Sequence, residues 1–398
     1  MREVVIASGK RTAIGKMGGT LKSVQAEVLA EAALRGVLDE TGIPAGELGQ
    51  VILGHCRQSS DNPNIARIAA LRAGIGEAVP AFTVMRQCAS GMTALGCGWS
   101  DIRSGVYDAA LVGGVESMST APFYIRGARF GLGTGSVQLL DSVTEVQFNS
   151  QPVDLYGRFN MGQSVDDYCR DTGITRQEQD EFAQLSQEKA ARAIASGRFA
   201  DEIVPMTLHE RKGDVVFDTD EFPRLTSLEK LAALKPAFRE NGSVTAGNAS
   251  GRNDGASALL IMTREKAAEL GLKPLAVVRQ VASAALDPRE WFLGPVPAVR
   301  KILEDQRLSL KDFGLIEMNE AFAGQCIGCM RLLDYDQELL DRTNVNGGAI
   351  ALGHPVGNSG ARIVVTLLHE MRKRQTQMGI ATLCVAGGLG MAAMLELC

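Results

Sequence analysis

The sequence predicts an α/β protein, on three observations. Short Val/Ile/Ala runs alternate with amphipathic helical stretches, the pattern of strands buried on both faces between helices. Glycine is abundant, at 44 residues, and collects where those strands end. One strand–turn–helix–strand pattern occurs twice, once early and once late in the chain.

Taken in order, the first apolar run, Glu3–Ser8, is too short for a signal peptide and is expected to be a strand. Further strands are expected at Gln50–Gly54, Ala81–Val84 and Ala109–Gly113. Helices are expected at Ala26–Thr41, Ala89–Ser104 and, with many charges, Arg176–Ser196. From about Ala121 to Asn248 polar stretches dominate and strand signals thin out, which reads as a large excursion from a compact core. Strand–helix alternation returns near Leu275-Ala276-Val277-Val278. The 398 residues suffice for two or three domain-sized units.

Composition narrows the function. At 45% hydrophobic and 22% charged residues the chain is ordinary for a globular protein. A net charge of −5 and the lack of a long basic run argue against nucleic acid as the main partner. No apolar run approaches the roughly 18–20 residues of a membrane-spanning helix, so no membrane partner is expected. The eight cysteines form no disulfide framework in so long a chain, and a reducing compartment suits them. Cys326 and Cys329 make a lone C-x-x-C in the apolar stretch Ala321–Leu333. Without a second pair or nearby histidines they read as buried thiols, and no metal is expected.

The repeated pattern carries the chemistry. The early copy runs Thr83-Val84-Met85-Arg86-Gln87-Cys88-Ala89-Ser90-Gly91, a helix, then Ala109-Ala110-Leu111-Val112-Gly113-Gly114. The late copy runs Asn344–Gly348, Gly353-His354-Pro355, a helix from about Ser359, then Ala381–Gly388. Two such halves packed together bring both turns to one site. Cys88 opens a helix, where unpaired N–H groups favour thiolate over thiol. From its own segment it reads equally as a small buried thiol. His354 is the one of four histidines framed by glycines and proline, which suits a fixed functional side chain or a loop histidine held by the backbone. His209, beside Glu210, Arg211 and Lys212, reads as surface, and His369 on its helix as structural. Cys384 ends an apolar strand just before Ala386-Gly387-Gly388. Two thiols and an imidazole, each at a strand end or glycine turn, suit acyl transfer: one thiolate attacks, the imidazole takes its proton, and the second thiol moves another. Asn319, after the strand-like Leu315–Met318, is a natural helix cap. Gly247–Ala256 is a loop of small residues open to a long ligand.

Together these segments resemble the thiolase family over essentially the whole chain. The motifs are Arg11–Lys16, the Cys88 segment, Gly113–Ser119, Ala246–Ala256, Asn319–Ala323, Asn344–Arg362 and Cys384–Gly390. The resemblance implies two similar halves of a five-layered α/β/α/β/α fold: residues 1–120 with 249–272, and 273–398, with a loop domain inserted at 121–248. It implies a thiolase-type acyl-CoA C-acyltransferase. Such an enzyme joins acetyl-CoA to an acyl-CoA, or cleaves a 3-ketoacyl-CoA, in acyl-chain (fatty acid) metabolism. By the same resemblance Cys88 would carry the acyl group and His354 would activate it. Cys384 would move the α-proton, and Asn319 would hold a water that, with His354, binds one oxyanion. The backbone N–H groups of Cys88 and Ala386 would form the second oxyanion site. Ser250 would meet the pantetheine arm, with Met161, Phe238 and Phe322 along its tunnel and Arg224 near the nucleotide. Ala249 would join the CoA and substrate site, and Trp291, with Phe292, would add bulk to the substrate pocket. The implied substrates are CoA thioesters, with no permanently bound cofactor. A cytoplasmic homodimer or homotetramer is implied too.

The departures from the family pattern are equally specific. Met85 stands where asparagine is usual, Asn160-Met161-Gly162 replaces a His-Met-Gly, and Ser164-Val165-Asp166-Asp167 replaces a Thr-Ala-Glu-Asn-like run. Trp291-Phe292-Leu293 replaces a Met-Gly-x run, and Ala386 a glycine. The expectation is a pocket reshaped around the acyl group with the chemistry kept. Two other readings are an acyltransferase with a different acceptor and a non-catalytic CoA-binding protein. The retained Cys384 speaks against the first, since only a Claisen step needs an α-proton base. The retained trio speaks against the second.

Overall fold

The computed structural model describes residues 1–211 and 213–398, so Lys212 lies outside the described residues. Its principal elements, in chain order, are β1 (Val4–Thr12), α1 (Ala26–Thr41), β2 (Gln50–Gly54), β3 (Ala81–Val84), α2 (Ser90–Ser104) and β4 (Ala109–Ser117). Then come α3 (Met161–Thr172), α4 (Arg176–Ala195), β5 (Asn253–Thr263), β6 (Ala276–Ala285), α5 (Pro295–Gln306) and β7 (Leu315–Met318). The chain ends with α6 (Ala323–Leu332), α7 (Val356–Arg374), β8 (Met378–Val385) and β9 (Leu389–Leu397).

The strands line up as β7-β8-β9-β6-β1-β5-β4-β2-β3. The outer pairs β2–β3, β2–β4 and β7–β8 are parallel, whereas β4–β5, β5–β1, β8–β9 and β9–β6 are antiparallel. The two runs meet in a short antiparallel contact, Val5↔Val277 and Ile6↔Ala276. A parallel bridge from Ile316 to Thr343 stands beside β7 as β3 stands beside β2. The repeat seen in the sequence is thus a repeat of strand order.

Alternating side chains of each strand feed different layers, as period-two geometry requires. Val5, Val51 and Leu111 join α1 in one core. Val4, Ile52, Val112, Leu383 and Leu395 join α2 and α7 in a central core. Ile316, Ile380 and Met394 join α5 and α6 in a third. Helix, sheet, helix pair, sheet and helix therefore make five layers, and the central pair α2–α7 is shared.

The helices follow local signals with small shifts. α2 begins at Ser90 with Ala89 as its cap position, and α7 begins at Val356, ahead of Ser359. Asn319 departs from expectation: α6 starts four residues later at Ala323, with Phe322 before it, so Asn319 caps nothing. The chain from Asn319 to Phe322 instead extends along another segment. Ser250 N–H donates to Ala321 O at 3.0 Å and Ala323 N–H to Asn248 O at 2.9 Å. In the 121–248 stretch α3 and α4 each start with a capping box, at Asn160 and Thr175. The stretch also holds short strand pairs, Phe123–Tyr124 with Leu140–Asp141 and Met206–Glu210 with Gly213–Phe217. No helix among the described residues is long and apolar enough to cross a membrane.

Candidate active site

Cys88 follows β3 through a turn in which Gln87 takes φ +44°, a left-handed angle uncommon outside glycine. That turn lifts Cys88 out of the strand and aims it across the start of α2. His354 reaches the same point from the other half. Gly353 precedes it at φ +106°, where a Cβ would stand 2.5 Å from the Asn253 side chain. Asn253 Oδ1 accepts the His354 N–H at 3.0 Å and locks the turn.

The imidazole is oriented at both ends. Nδ1 lies 2.6 Å from Ser359 Oγ, and Nε2 lies 3.3 Å from Cys88 Sγ. Ser359 Oγ already donates its one proton to Pro355 O at 3.0 Å. It therefore accepts from Nδ1–H, which leaves Nε2 as the acceptor facing the thiol. Burial pushes His354 down to about 4, and Arg362 pushes it the same way. The imidazole is neutral at pH 7 and fit to take a proton.

The thiol differs from expectation. Burial pushes Cys88 up to about 11, against the backbone N–H groups of Ala386 and Cys88 itself, which favour the thiolate. Desolvation here outweighs the helix start, because the thiolate would lose its water without gaining a full charge partner. Cys384 is fully buried. Its pKa is pushed well up by burial and by the neighbouring Cys88. Asn319 donates its backbone N–H to Thr382 O at 2.9 Å, while both its side-chain polar atoms are buried without a partner. Ala386 keeps an ordinary negative φ, and the left-handed angles of the turn fall on Gly387 and Gly388, at +91° and +80°. The alanine is therefore no obstacle to its N–H pointing at Cys88.

A cavity of about 190 Å³ opens on Cys88, His354 and Ala386, while Cys384 and Asn319 lie buried outside its lining. Of the CoA and substrate positions expected from sequence, Ser250, Ala249, Met161, Phe238, Phe322 and Trp291 all line it. Arg224 does not: it stacks over Phe222 at 5.1 Å and donates to Ala246 O at 2.5 Å. Two of the departures also fall elsewhere. Met85 is 55% exposed, and Phe292 packs at 4.9 Å on Tyr168 behind Trp291. Consecutive residues of the short 3-10 turn Pro288–Leu293 face different ways, so only Trp291 meets the cavity. Cys326 and Cys329 are buried thiols, as read from the sequence, Cys329 donating to Phe292 O. His209 is exposed beside Asp214, and His369 is buried against Gly9 O at 2.8 Å.

Several contributors escaped the sequence reading. Ser359 orients His354. Glu116 accepts from Arg57 N–H at 3.0 Å and Gly357 N–H at 2.9 Å, and pairs with His55 at 3.2 Å. It thus ties the Arg57 loop to the start of the His354 helix. Gly113 and Gly114 beside it have no room for a Cβ, with Ser257 O at 2.1 Å and Gly357 O at 2.3 Å. These close approaches are the signal the glycine pair offered.

Known proteins give the context for this geometry. The model of the thiolase N-terminal domain matches residues 4–265 and that of the thiolase C-terminal domain residues 272–397. The acetyl-CoA acetyltransferase of Pseudomonas aeruginosa is 47% identical over 397 residues, covering 99% of both chains. That of Cupriavidus necator is 42% identical, covering 100% of both. Among solved structures, the acetyl-CoA acetyltransferase of Bacillus anthracis matches with a TM-score of 0.96 at 45% identity, over 100% of this chain and 99% of its own. Human mitochondrial 3-ketoacyl-CoA thiolase matches at 0.94 and 37%, over 100% and 99%. With its fold, its paired turns and both domains matched in order, the chain belongs to the thiolase family.

Proposed function

We propose that this chain is a thiolase-type acyl-CoA C-acyltransferase working through an acyl-Cys88 intermediate. The observation that carries the reading is His354 Nε2, unprotonated and 3.3 Å from Cys88 Sγ at the end of a cavity. In the first half-reaction Nε2 takes the thiol proton as sulfur attacks the thioester carbon. The CoA thiolate leaves and takes up that proton. The Ala386 and Cys88 N–H groups, aimed at the sulfur, are placed for an oxyanion beside it. Each such donor is worth about 3–4 kcal/mol in the transition state. In the second half-reaction Cys384 passes its own proton to His354 and, as a thiolate, takes the α-proton of acetyl-CoA. The resulting carbanion attacks the acyl carbon, and the released Cys88 thiolate takes the proton back from His354. Asn319, with a water, and His354 hold the enolate oxygen. The same steps reversed cleave a 3-ketoacyl-CoA.

The wider reading places a CoA arm along Ser250, Ala249, Met161, Phe238 and Phe322, with Arg224 toward the nucleotide. It also divides the chain into 1–120 with 249–272, 121–248 and 273–398, supported by the matched strand orders. A homodimer or homotetramer fits the exposed Phe82 on edge strand β3 and the exposed Phe123, Phe130 and Leu155 of the inserted stretch. Sedimentation as a monomer would remove that part. A cytoplasmic setting fits eight free cysteines. Thiols found oxidised in protein taken from unbroken cells would count against it.

The decisive experiment is peptide mass spectrometry after incubation with acetyl-CoA. The Cys88 peptide gains an acetyl group, Cys88→Ala abolishes it, and Cys384→Ala keeps it while losing condensation by at least about a thousandfold. No acetyl group on Cys88 overturns the reading.

A further inference from the structure

The cavity at Cys88 is lined by two arginines, Arg57 and Arg252, and by no acidic side chain among the described residues. Arg252 is exposed, but Arg57 is half-buried, and its Nε is shut off from solvent without a hydrogen-bond partner. Arg57 is tied to its surroundings by its main chain, through the N–H bond to Glu116. That carboxylate is already occupied by Gly357 N–H and His55. Gln87 lines the cavity beside Cys88 and offers a further donor.

The Arg57 terminal nitrogens make no hydrogen bond among the described residues, and an unsubstituted alkyl group packed against them would leave them unsatisfied, which is costly. A carboxylate matches the guanidinium fork two bonds at a time. The Arg57 charge is felt at the Cys88 sulfur, as is the opposing charge of the buried Glu116, so Arg57 belongs to this end of the cavity. We infer that the acyl group admitted at Cys88 is that of a short dicarboxylic acid, joined to CoA through one carboxyl, with its free carboxylate held by Arg57. This rests on the function proposed above.

The test compares thiolysis of the CoA thioesters of 3-oxohexanedioic and 3-oxohexanoic acid, equal in chain length and different only in the terminal carboxylate. The native enzyme is expected to prefer the diacid by at least about tenfold in kcat/KM. Arg57→Leu should lower that preference by at least tenfold, and Arg57→Lys should restore part of it. Equal turnover of the two, or a preference for the alkyl substrate, overturns the inference. So does an Arg57→Leu variant that loses the same factor on both, since that places Arg57 on CoA. Failure of the underlying function shows separately, as no acetyl group on Cys88.

Discussion

At the scale of single residues, the resting state of Cys88 is a thiol, and the reaction must remove its proton rather than find it gone. Burial sets the thiol near 11 and His354 near 4, so neither the pre-formed thiolate nor the imidazolium is the ground state. Below its pKa the thiolate fraction rises tenfold per pH unit. Alkylation of Cys88 by iodoacetamide, followed by peptide mass spectrometry, should therefore climb through pH 9 and 10. A plateau near pH 8.5, as for an ordinary cysteine, would contradict the burial argument. Cys88, His354 and Cys384 were legible because each sits at a strand end or in a turn framed by glycine or proline. Ser359 and Glu116 were not, because a serine on a helix and a glutamate on a strand look ordinary until the other half of the chain arrives.

At the scale of elements, the crossing of α2 and α7 sets the distance between Cys88 and His354. Neither helix tolerates bulk there. A Cβ on Gly91 would lie 2.7 Å from Ala361 N and 2.9 Å from Ala361 Cβ, and one on Gly360 would lie 2.6 Å from Met92 N. Overpacking of this kind costs about 1–3 kcal/mol. Gly91→Ala is thus expected to lower stability in denaturant unfolding by that amount. It should also depress acylation of Cys88, since the helices must part. An unchanged midpoint with unchanged acylation would show that the crossing has slack. Asn319 illustrates the limit of local reading. Its sequence neighbourhood fits a cap, but pairing of Ala249 with Phe322 holds the segment extended and delays α6 to Ala323.

At the scale of the molecule, the 121–248 stretch is fastened to the core by a buried charge cluster. Arg11 of β1 donates from Nε to Glu202 at 2.7 Å and from Nη1 and Nη2 to Asp220 at 2.7 and 2.9 Å. The flanking carboxylates hold its guanidinium charged despite complete burial. Asp220 Oδ1 also accepts Ile14 N–H at 2.8 Å. Removing one partner leaves a buried charge uncompensated, at about 3–5 kcal/mol. Asp220→Ala should lose that much in equilibrium unfolding. A loss under 1 kcal/mol would mean that the stretch is held by other contacts.

Although it read as loop the Gly247–Ala256 stretch in which β5 begins, the sequence by itself determined the α/β class, the main strands and helices of the first hundred residues, the duplicated pattern and the candidate trio. These depend on local periodicity and on residue types at strand ends, which a linear reading samples directly. The tertiary structure decided what depends on packing across the halves. It placed Trp291 on the cavity and turned Met85 and Phe292 away, left Arg224 off the cavity wall and freed Asn319 from any cap. It also set Cys88 as a thiol, because burial and the direction of a side chain are properties of the assembled layers, not of any one segment.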